Sequence, residues 1–572
     1  MAFLSTAGEA IPMRPVWNRL KAAMMRLPLL AIGFFAIGFI GTVLPSVTGG
    51  HIPGDIRDGR FNLYLLEHFF RSLCGEETSF INAPFYFPFP ATIGFSDSHW
   101  GTAPIYAFFR FFGIAPMDAF CCWFSVGVLL TFACAYVILR RLDLGELGSG
   151  IGAFLFTFCL PASMQCMHAQ LTYRYAVPLG LYFLHRYLTT RLPVWGSLTV
   201  LCLALQILAT FYIGIFLGYL LAAWVLSWVL LKTLHEGAPI GSALKGLLPS
   251  VTGKKSDQFK ACGLLLIALV LIASALLPNL TAARLYHFAR SWGEIESMLP
   301  RPASYFLTDV SRIWYSSAPV FASIPMRWEQ NMFLGVVAVI AVIFAFAGGA
   351  APRQAPVLFL ARTSFLLLLV MTLFVFGKSA YCVVACVPGF NAVRAVSRII
   401  LVMVFPAAIM TGLFIERIYQ RPSHAVFWRI MAVALAGFCL FETVDIKPYR
   451  DSKKNWQKRV DDLESHVVAA VGRPVVRNEV IVCLQPAKER MDCPDWVLEL
   501  DAMLLAQKLG LRTLNGYSGN EPPGWRRICN RDDIAGVIAS ANSFRKKNGL
   551  SSVSLDPAMI LAIDPAPVSS HP

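Results

Sequence analysis

Two apolar stretches constrain this chain before anything else does. "LPLLAIGFFAIGFIGTVLP" covers residues 27–45 and "FKACGLLLIALVLIASALLP" covers residues 259–278. A bilayer core about 30 Å thick asks for about 20 consecutive apolar residues per helix. Both runs meet that length with uncharged interiors. Lipid offers no partner to a backbone amide, so such a segment must close its own hydrogen bonds as a helix. The composition agrees: 56% of the 572 residues are hydrophobic and 15% are charged, with a mean hydropathy of +0.59. A water-soluble globule of that apolarity would have too little polar surface to stay in solution.

About eleven spans are expected, at residues 28–47, 118–139, 150–165, 175–189, 194–210, 211–231, 261–278, 331–348, 357–376, 398–415 and 426–442. The first run is longer than a signal-peptide core and has no small-residue cleavage site, so it reads as an uncleaved span. The net charge of +15 is explained by its distribution. Basic residues collect in alternate loops: "MRPVWNRLKAAMMR", Arg140 with Arg141, Arg186 with Arg191, "KKSDQFK", and Arg417 with Arg421. That pattern places the N-terminus in the cytoplasm and argues against a nucleic-acid partner. Residues 49–117, 165–173, 278–331, 377–397 and everything after 442 then fall on the outer face.

The expected fold class is an all-α polytopic membrane protein with a small α/β domain outside the membrane. Residues 1–442 form the membrane body, with residues 48–117 as a first outer loop carrying an amphipathic helix. Residues 443–572 form the tail. There "RPVVRNEVIVCLQP" reads as strand, and "DWVLELDAMLLAQKLG" as a helix stopped by Gly510. A Cys483–Cys493 disulfide is left open in an oxidising compartment. No CxxC or HExxH spacing marks a metal site.

Chemistry-bearing residues concentrate where spans meet the outer face. "GGHIPGDIRDGRFNLYLLEHFF" places Asp55 and Asp58 in a glycine-marked turn before a helix whose Leu63, Leu66, Phe69 and Phe70 share one side. That helix is expected to lie on the membrane surface. One aspartate can cap it, which leaves the other over. "FSDSHW" adds Asp97 and His99, as an ordered turn or as polar groups converging on Asp55 or Asp58. "QCMHAQLTYRYAVPL" brings His168, Gln170, Tyr173 and Arg174 to a span boundary, where polar side chains line cavities or, for tyrosine, an interfacial belt. "GKSAYCVVACVPGFNAVRAVSRIILV" carries Lys378, Arg394 and Arg398 on the face that disfavours basic residues. They snorkel to headgroups or clamp a phosphate.

Taken together, "GDIRDGRFNLYLLEHFF" after a single first span, many later spans and an outer tail resemble the GT-C superfamily of integral-membrane glycosyltransferases. Within it, "PFYFPFPATIGFSDSH", "HAQLTYRYAVPLGLYFLHR", "PGFNAVRAVSRIIL" and "LNGYSGNEPPGW" are similar to a bacterial group of multi-pass proteins. The resemblance implies inverting transfer of a sugar from a polyprenyl-phosphate-linked donor to a glycan, lipid or protein acceptor. It implies a bacterial inner-membrane location with a periplasmic tail. It implies Asp55 or Asp58 as the catalytic carboxylate; the positions of the residues themselves add Asp97 beside it, and His99, His168, Gln170, Tyr173, Lys378, Arg394 and Arg398 as candidates for binding substrate. In that mechanism Tyr86 and Trp100 would stack on the sugar; the turn at Tyr517 and Gly519 either caps the cavity or is a plain folding turn. The chain departs from the superfamily in having Asp-x-x-Asp rather than Asp-x-Asp, which leaves a divalent cation open. A flippase for a lipid-linked saccharide and a non-catalytic envelope assembly protein are the other readings.

Overall fold

The computed structural model describes residues 28–250, 255–348, 354–387, 390–444, 450–485, 495–526, 528, 531–553 and 560–563. Every expected apolar run forms a helix. The first is α1 (Leu29–Val47). The loop after it contains β1 (His51–Pro53), α2 (Asp58–Leu73) and α3 (Ala103–Phe111). The bundle continues with α4 (Pro116–Arg141), α5 (Glu146–Phe158), α6 (Ala176–Thr190), α7 (Pro193–Ala209) and α8 (Phe211–Leu230). It closes with α9 (Lys255–Tyr286), α10 (Val336–Ala347), α11 (Ala355–Thr372), α12 (Ile400–Tyr419) and α13 (Ala425–Thr443).

Among the described residues eight helices are long and apolar enough to cross a bilayer, so the chain is a multi-pass membrane protein. The other three expected spans, α6, α7 and α10, have 15, 17 and 12 residues. They are shorter than a straight crossing requires. α12 is the bundle's axis, with 94% of its apolar window buried against 22% for α9 and for α13. Its neighbour α5 approaches through glycines. A Cβ on Gly412 would lie 2.6 Å from the Gly148 carbonyl, so only hydrogen fits between these backbones.

The alternation read from basic residues has a spatial counterpart. At one end Gly145 N–H donates to Glu416 (2.6 Å) and Gln354 to the Asp143 carbonyl (3.0 Å). At the other end the segments expected on the outer face meet. Asn279 donates to the Gly94 and Ser96 carbonyls (both 3.3 Å), Ser397 N–H to Met298 (3.1 Å), and Arg290 to the Gly519 carbonyl (2.7 Å).

The structure corrects the setting of α2. Its apolar side does not rest on the membrane surface. Leu63, Leu66 and Phe70 join the main bundle core, while Phe61, Tyr64 and Leu65 join a second cluster with Phe85, Tyr86, Leu500 and Met503. α2 is packed between the bundle and the tail.

The tail begins with β2 (Arg450–Ser452), antiparallel to β1 with His51 opposite Ser452. Then follow α14 (Lys453–Val471), β3 (Ile481–Leu484), α15 (Asp495–Leu509), β4 (Arg512–Thr513), α16 (Arg531–Lys547) and β5 (Ile560–Ile563). β3 is the middle of a parallel three-stranded sheet in the order β4-β3-β5. Its four residues are all buried, as expected of a parallel strand covered on both faces. The first loop extends this sheet: Phe87 N–H bonds the Thr513 carbonyl and Thr513 N–H the Pro84 carbonyl, each at 2.9 Å. Cys483 is a buried free thiol, and Cys493 lies outside the described residues.

One ion cluster fixes tail to body. Asp501 of α15 accepts from Arg60 Nη2 of α2 at 2.5 Å and from Arg459 Nε of α14 at 3.1 Å. Arg60 is 0% exposed. Removing one partner of a buried pair leaves a bare charge and costs about 3–5 kcal/mol. Asp501→Asn is therefore expected to lower the unfolding free energy of the detergent-solubilised protein by that amount. Asp461→Asn, which breaks the half-exposed pair with Lys508, should change it by less than about 1 kcal/mol. Chemical denaturation of the two variants side by side checks the contrast.

Candidate functional site

A tight turn creates the site. Gly54 has φ +100°, and a Cβ there would come 2.9 Å from Gly59 Cα and 3.7 Å from the Met167 carbonyl. The positive φ and the approach to Gly59 require glycine, while the Met167 carbonyl lies at ordinary contact distance. These approaches press the turn holding Asp55 and Asp58 against the loop holding His168.

The two aspartates then divide the roles left open by the sequence. Asp55 Oδ1 accepts from Arg57 N–H (3.1 Å) and Gly59 N–H (3.2 Å), so Asp55 closes the first turn of α2. Asp58 faces inward. Its Oδ2 lies 3.1 Å from His168 Nδ1, and its Oδ1 accepts from the Tyr517 hydroxyl at 2.7 Å. Nε2 of His168 meets Nη2 of Arg398 at 2.6 Å. Arg398 in turn grips Glu329 in bidentate fashion, Nε to Oε2 at 2.9 Å and Nη2 to Oε1 at 2.6 Å. Its guanidinium lies over Tyr212, 5.1 Å from the ring centre. Gln165 donates to Glu329 Oε2 at 3.3 Å.

This chain assigns the protons. Burial and Arg398 oppose a charged imidazole, but Asp58 and Glu329 outweigh them and raise the pKa of the ring; the geometry at Nε2 points the other way. The contact at Nε2 decides the matter. Arg398 is always a donor, so Nε2 must accept, and His168 is the neutral ring with its proton on Nδ1, given to Asp58. Burial opposes the charge on Asp58, but the hydrogen bonds from His168 and Tyr517 and the charge of Arg398 outweigh it and hold the carboxyl below its ordinary value. Burial likewise opposes ionisation of Glu329, and the adjacent guanidinium holds that carboxyl well below its usual range. With Arg398 paired to Glu329, Asp58 is left to His168 and Tyr517.

A second polar strand runs alongside. Asn62 of α2 donates to Gln170 Oε1 at 3.0 Å. Asp97 accepts from Thr210 Oγ1 and from Phe211 N–H, both at 3.0 Å, and so caps α8. Burial raises its pKa, with Gln170 and Arg398 acting the other way. His168 and Arg398 thus gather at Asp58, while Gln170 joins Asn62 to Asp97, which is an anchor rather than a free carboxylate.

Other expected residues are placed elsewhere. Tyr173 is no sugar ligand: it is 0% exposed, and its hydroxyl donates to the Trp123 carbonyl at 2.6 Å. His99 is buried away from the cluster at φ +58°. Lys378 is exposed beside the Val375–Lys378 turn. Arg394 precedes the helical turn that contains Arg398, so the two share no helix face. Arg394 binds Glu294 at 2.9 Å, and Arg290 shares the same carboxylate oxygen at 3.2 Å. Two guanidiniums on one carboxylate leave that rim positive. Tyr86 does not stack on a ligand either, being buried edge-on against Trp525 at 4.9 Å.

Sequence reasoning missed Glu329, Asn62 and Tyr212. Glu329 stands alone in "MRWEQN", and nothing periodic marks it. A buried outer-face arginine demands a counter-ion, which was the available signal. Among the described residues no three His, Cys, Asp or Glu side chains stand together as metal ligands. Both oxygens of Asp58 and of Glu329 already accept from N–H or O–H donors. These residues do not fit a dedicated divalent-cation cage.

No protein-family model matches the chain, and no curated protein matches it. Among solved structures it is similar to the arabinofuranosyltransferase AftD from Mycobacteria, at a TM-score of 0.45 and 12% identity over 80% of this chain. This chain spans 29% of that protein's length. So loose a likeness carries no functional weight.

The buried histidines give the structure an acid limit. Burial pushes His68 down to about 4 and His99 to about 3. Between those values and the ordinary 6.5 the unfolded chain binds more protons than the folded one. Their contribution is complete above pH 6.5 and declines as pH falls through that window, by up to about 1.4 kcal/mol per pH unit for each histidine. Thermal melts should therefore fall between pH 6.5 and 4.5, and His99→Asn should flatten the slope. Asp58 and Glu329, held low, withdraw their share only at still lower pH.

Proposed function

We propose that the protein is a membrane glycosyltransferase moving a sugar from a polyprenyl-phosphate-linked donor to a glycan, lipid or protein acceptor. We place the reaction on the outer face of a bacterial inner membrane, with the N-terminus cytoplasmic, residues 1–442 as the membrane body and residues 443–572 as a periplasmic domain. The observation that carries this reading is the Asp58 carboxylate, ionised and hydrogen-bonded by His168 and Tyr517 where the bundle, the first loop and the tail meet.

A lipid-linked donor cannot leave the bilayer, so its sugar must react at the lip. Displacement at the anomeric carbon asks for a group that takes the acceptor's proton and a cation that steadies the departing phosphate. Asp58 is the proton acceptor. The proton-donating His168 Nδ1 holds Asp58 in place, and Arg398 fixes the His168 tautomer. Arg394 and Arg290, two cations on one carboxylate at the rim, meet the phosphate charge as it develops. In this reading Gln170, held by the Asn62 amide, binds sugar hydroxyls.

Asp58→Asn keeps the shape and removes the base, so transfer should fall by about 10²–10⁴-fold. Asp55→Asn disturbs only a helix cap and should cost about 1 kcal/mol of stability with transfer nearly intact. Mass spectrometry of lipid-linked precursors and envelope glycans in a deletion strain carrying each variant reads the outcome. Full transfer by Asp58→Asn would sink the proposal. Lost lipid movement with transfer unaffected would point to a flippase instead.

A further inference from the structure

Gln165, which donates to Glu329, also borders a cavity of about 50 Å³. It is bordered by Ser46 of α1, Thr157 of α5, Gln165 and Arg174. Each of these side chains is more than nine-tenths buried. Each also presents a polar atom with no hydrogen-bond partner: Ser46 Oγ, Thr157 Oγ1, Gln165 Oε1 and Arg174 Nε. Buried polar groups are almost always paired, so four orphans on residues that line one hollow ask for an occupant. Ala162, Ser163 and Thr172, all half-buried, form the accessible edge of the lining.

The charge narrows what the occupant is. Arg174 is 1% exposed, yet no carboxylate acts on it. Its contacts are the Thr157 carbonyl at 3.1 Å, Cys159 Sγ at 4.0 Å and the Phe156 ring at 5.0 Å. The carbonyl at the end of α5 offsets part of the charge, but the guanidinium keeps an unsatisfied face. Water would satisfy the hydrogen bonds and leave the charge uncompensated. A tetrahedral oxyanion satisfies both, accepting from Ser46, Thr157 and Arg174 and, when monoprotonated, donating to Gln165. The cavity holds the space of roughly three or four waters, enough for one such group. Arginine is also the side chain whose fork suits phosphate oxygens.

We propose that this cavity is a phosphate-class anion site, filled by inorganic phosphate or by the phosphomonoester head of a lipid. The cavity adjoins the Asp58 cluster: Gln165 borders it and donates to Glu329, and Pro53, beside the Gly54 turn, also lines it. It does not depend on the transferase reading.

The test uses the full-length protein in detergent, with thermal melts against inorganic phosphate at constant ionic strength and chloride as control. A second arm places the protein in nanodiscs with and without phosphatidic acid. A ligand that binds only the folded state raises the melting temperature with concentration. Stabilisation by free phosphate assigns the soluble anion, and stabilisation only in phosphatidate discs assigns the lipid head. Ser46→Ala and Thr157→Val each remove one hydrogen bond to a charged group and should weaken the effect about tenfold or more. Arg174→Gln should abolish it. Ligand-free melts of the two hydroxyl variants report on folding, so a variant that misfolds is recognised. No stabilisation of the wild type in either arm, or stabilisation unchanged in all three variants, overturns the assignment and leaves a water-filled cavity. Loss of transfer in Asp58→Asn with phosphate binding intact would separate this site from the reaction.

Discussion

Asp58 lies where three parts of the chain meet, and its carboxylate bonds to two of them. One oxygen takes a proton donor from the loop before α6 and the other from the tail, more than 450 residues away in sequence. This half-buried carboxylate, 23% exposed, keeps its charge because those donors and a nearby guanidinium replace much of the water it has lost. Arg398 in its turn is tolerable only because Glu329 neutralises it. Each charge is held by the next, so the geometry of the lip and the docking of the tail are one energetic problem.

The tail is accordingly structural and chemical at once. It shares the Arg60–Asp501–Arg459 cluster with α2, extends its sheet with residues 84–87 of the first loop, and reaches Asp58 through Tyr517. Gly516 makes that reach close: a Cβ there would strike the Tyr86 ring at 2.2 Å. The turn at residues 514–519 is thus moulded onto the first loop. Docking a polar helix such as α2 between two cores also explains why a segment with an amphipathic pattern is covered on both sides. Its second face pairs with protein, where the sequence pattern alone suggests water or lipid headgroups.

The site was legible in part. Asp58, His168, Gln170 and Arg398 stood out because polar side chains beside apolar spans are costly and need a reason. Tyr173 stood out for the same reason, but its hydroxyl meets that cost with a backbone carbonyl inside the bundle. Lys378 carried the same charge signal and ended exposed on a turn. Glu329 carried no signal, because a lone acid in a long loop looks like any solvated acid until its partner's position is known. Which aspartate of the pair caps α2 was equally hidden: both lie within reach of the helix start, and only the turn at Gly54 aims one at the helix and the other at His168.

What the sequence determined by itself is the solvent the chain lives in and the class of structure it takes. Apolar runs of bilayer length must be helices in lipid, and the alternation of basic residues groups the loops into two sets; both follow from local composition. The tertiary structure decided which charges meet. Ion pairing inside a fold depends on distances of about 3 Å between residues hundreds of positions apart, and no local pattern encodes those distances. The pairing of Arg398 with Glu329, the reach of Tyr517 to Asp58, and the unpaired guanidinium of Arg174 arise only when the helices pack.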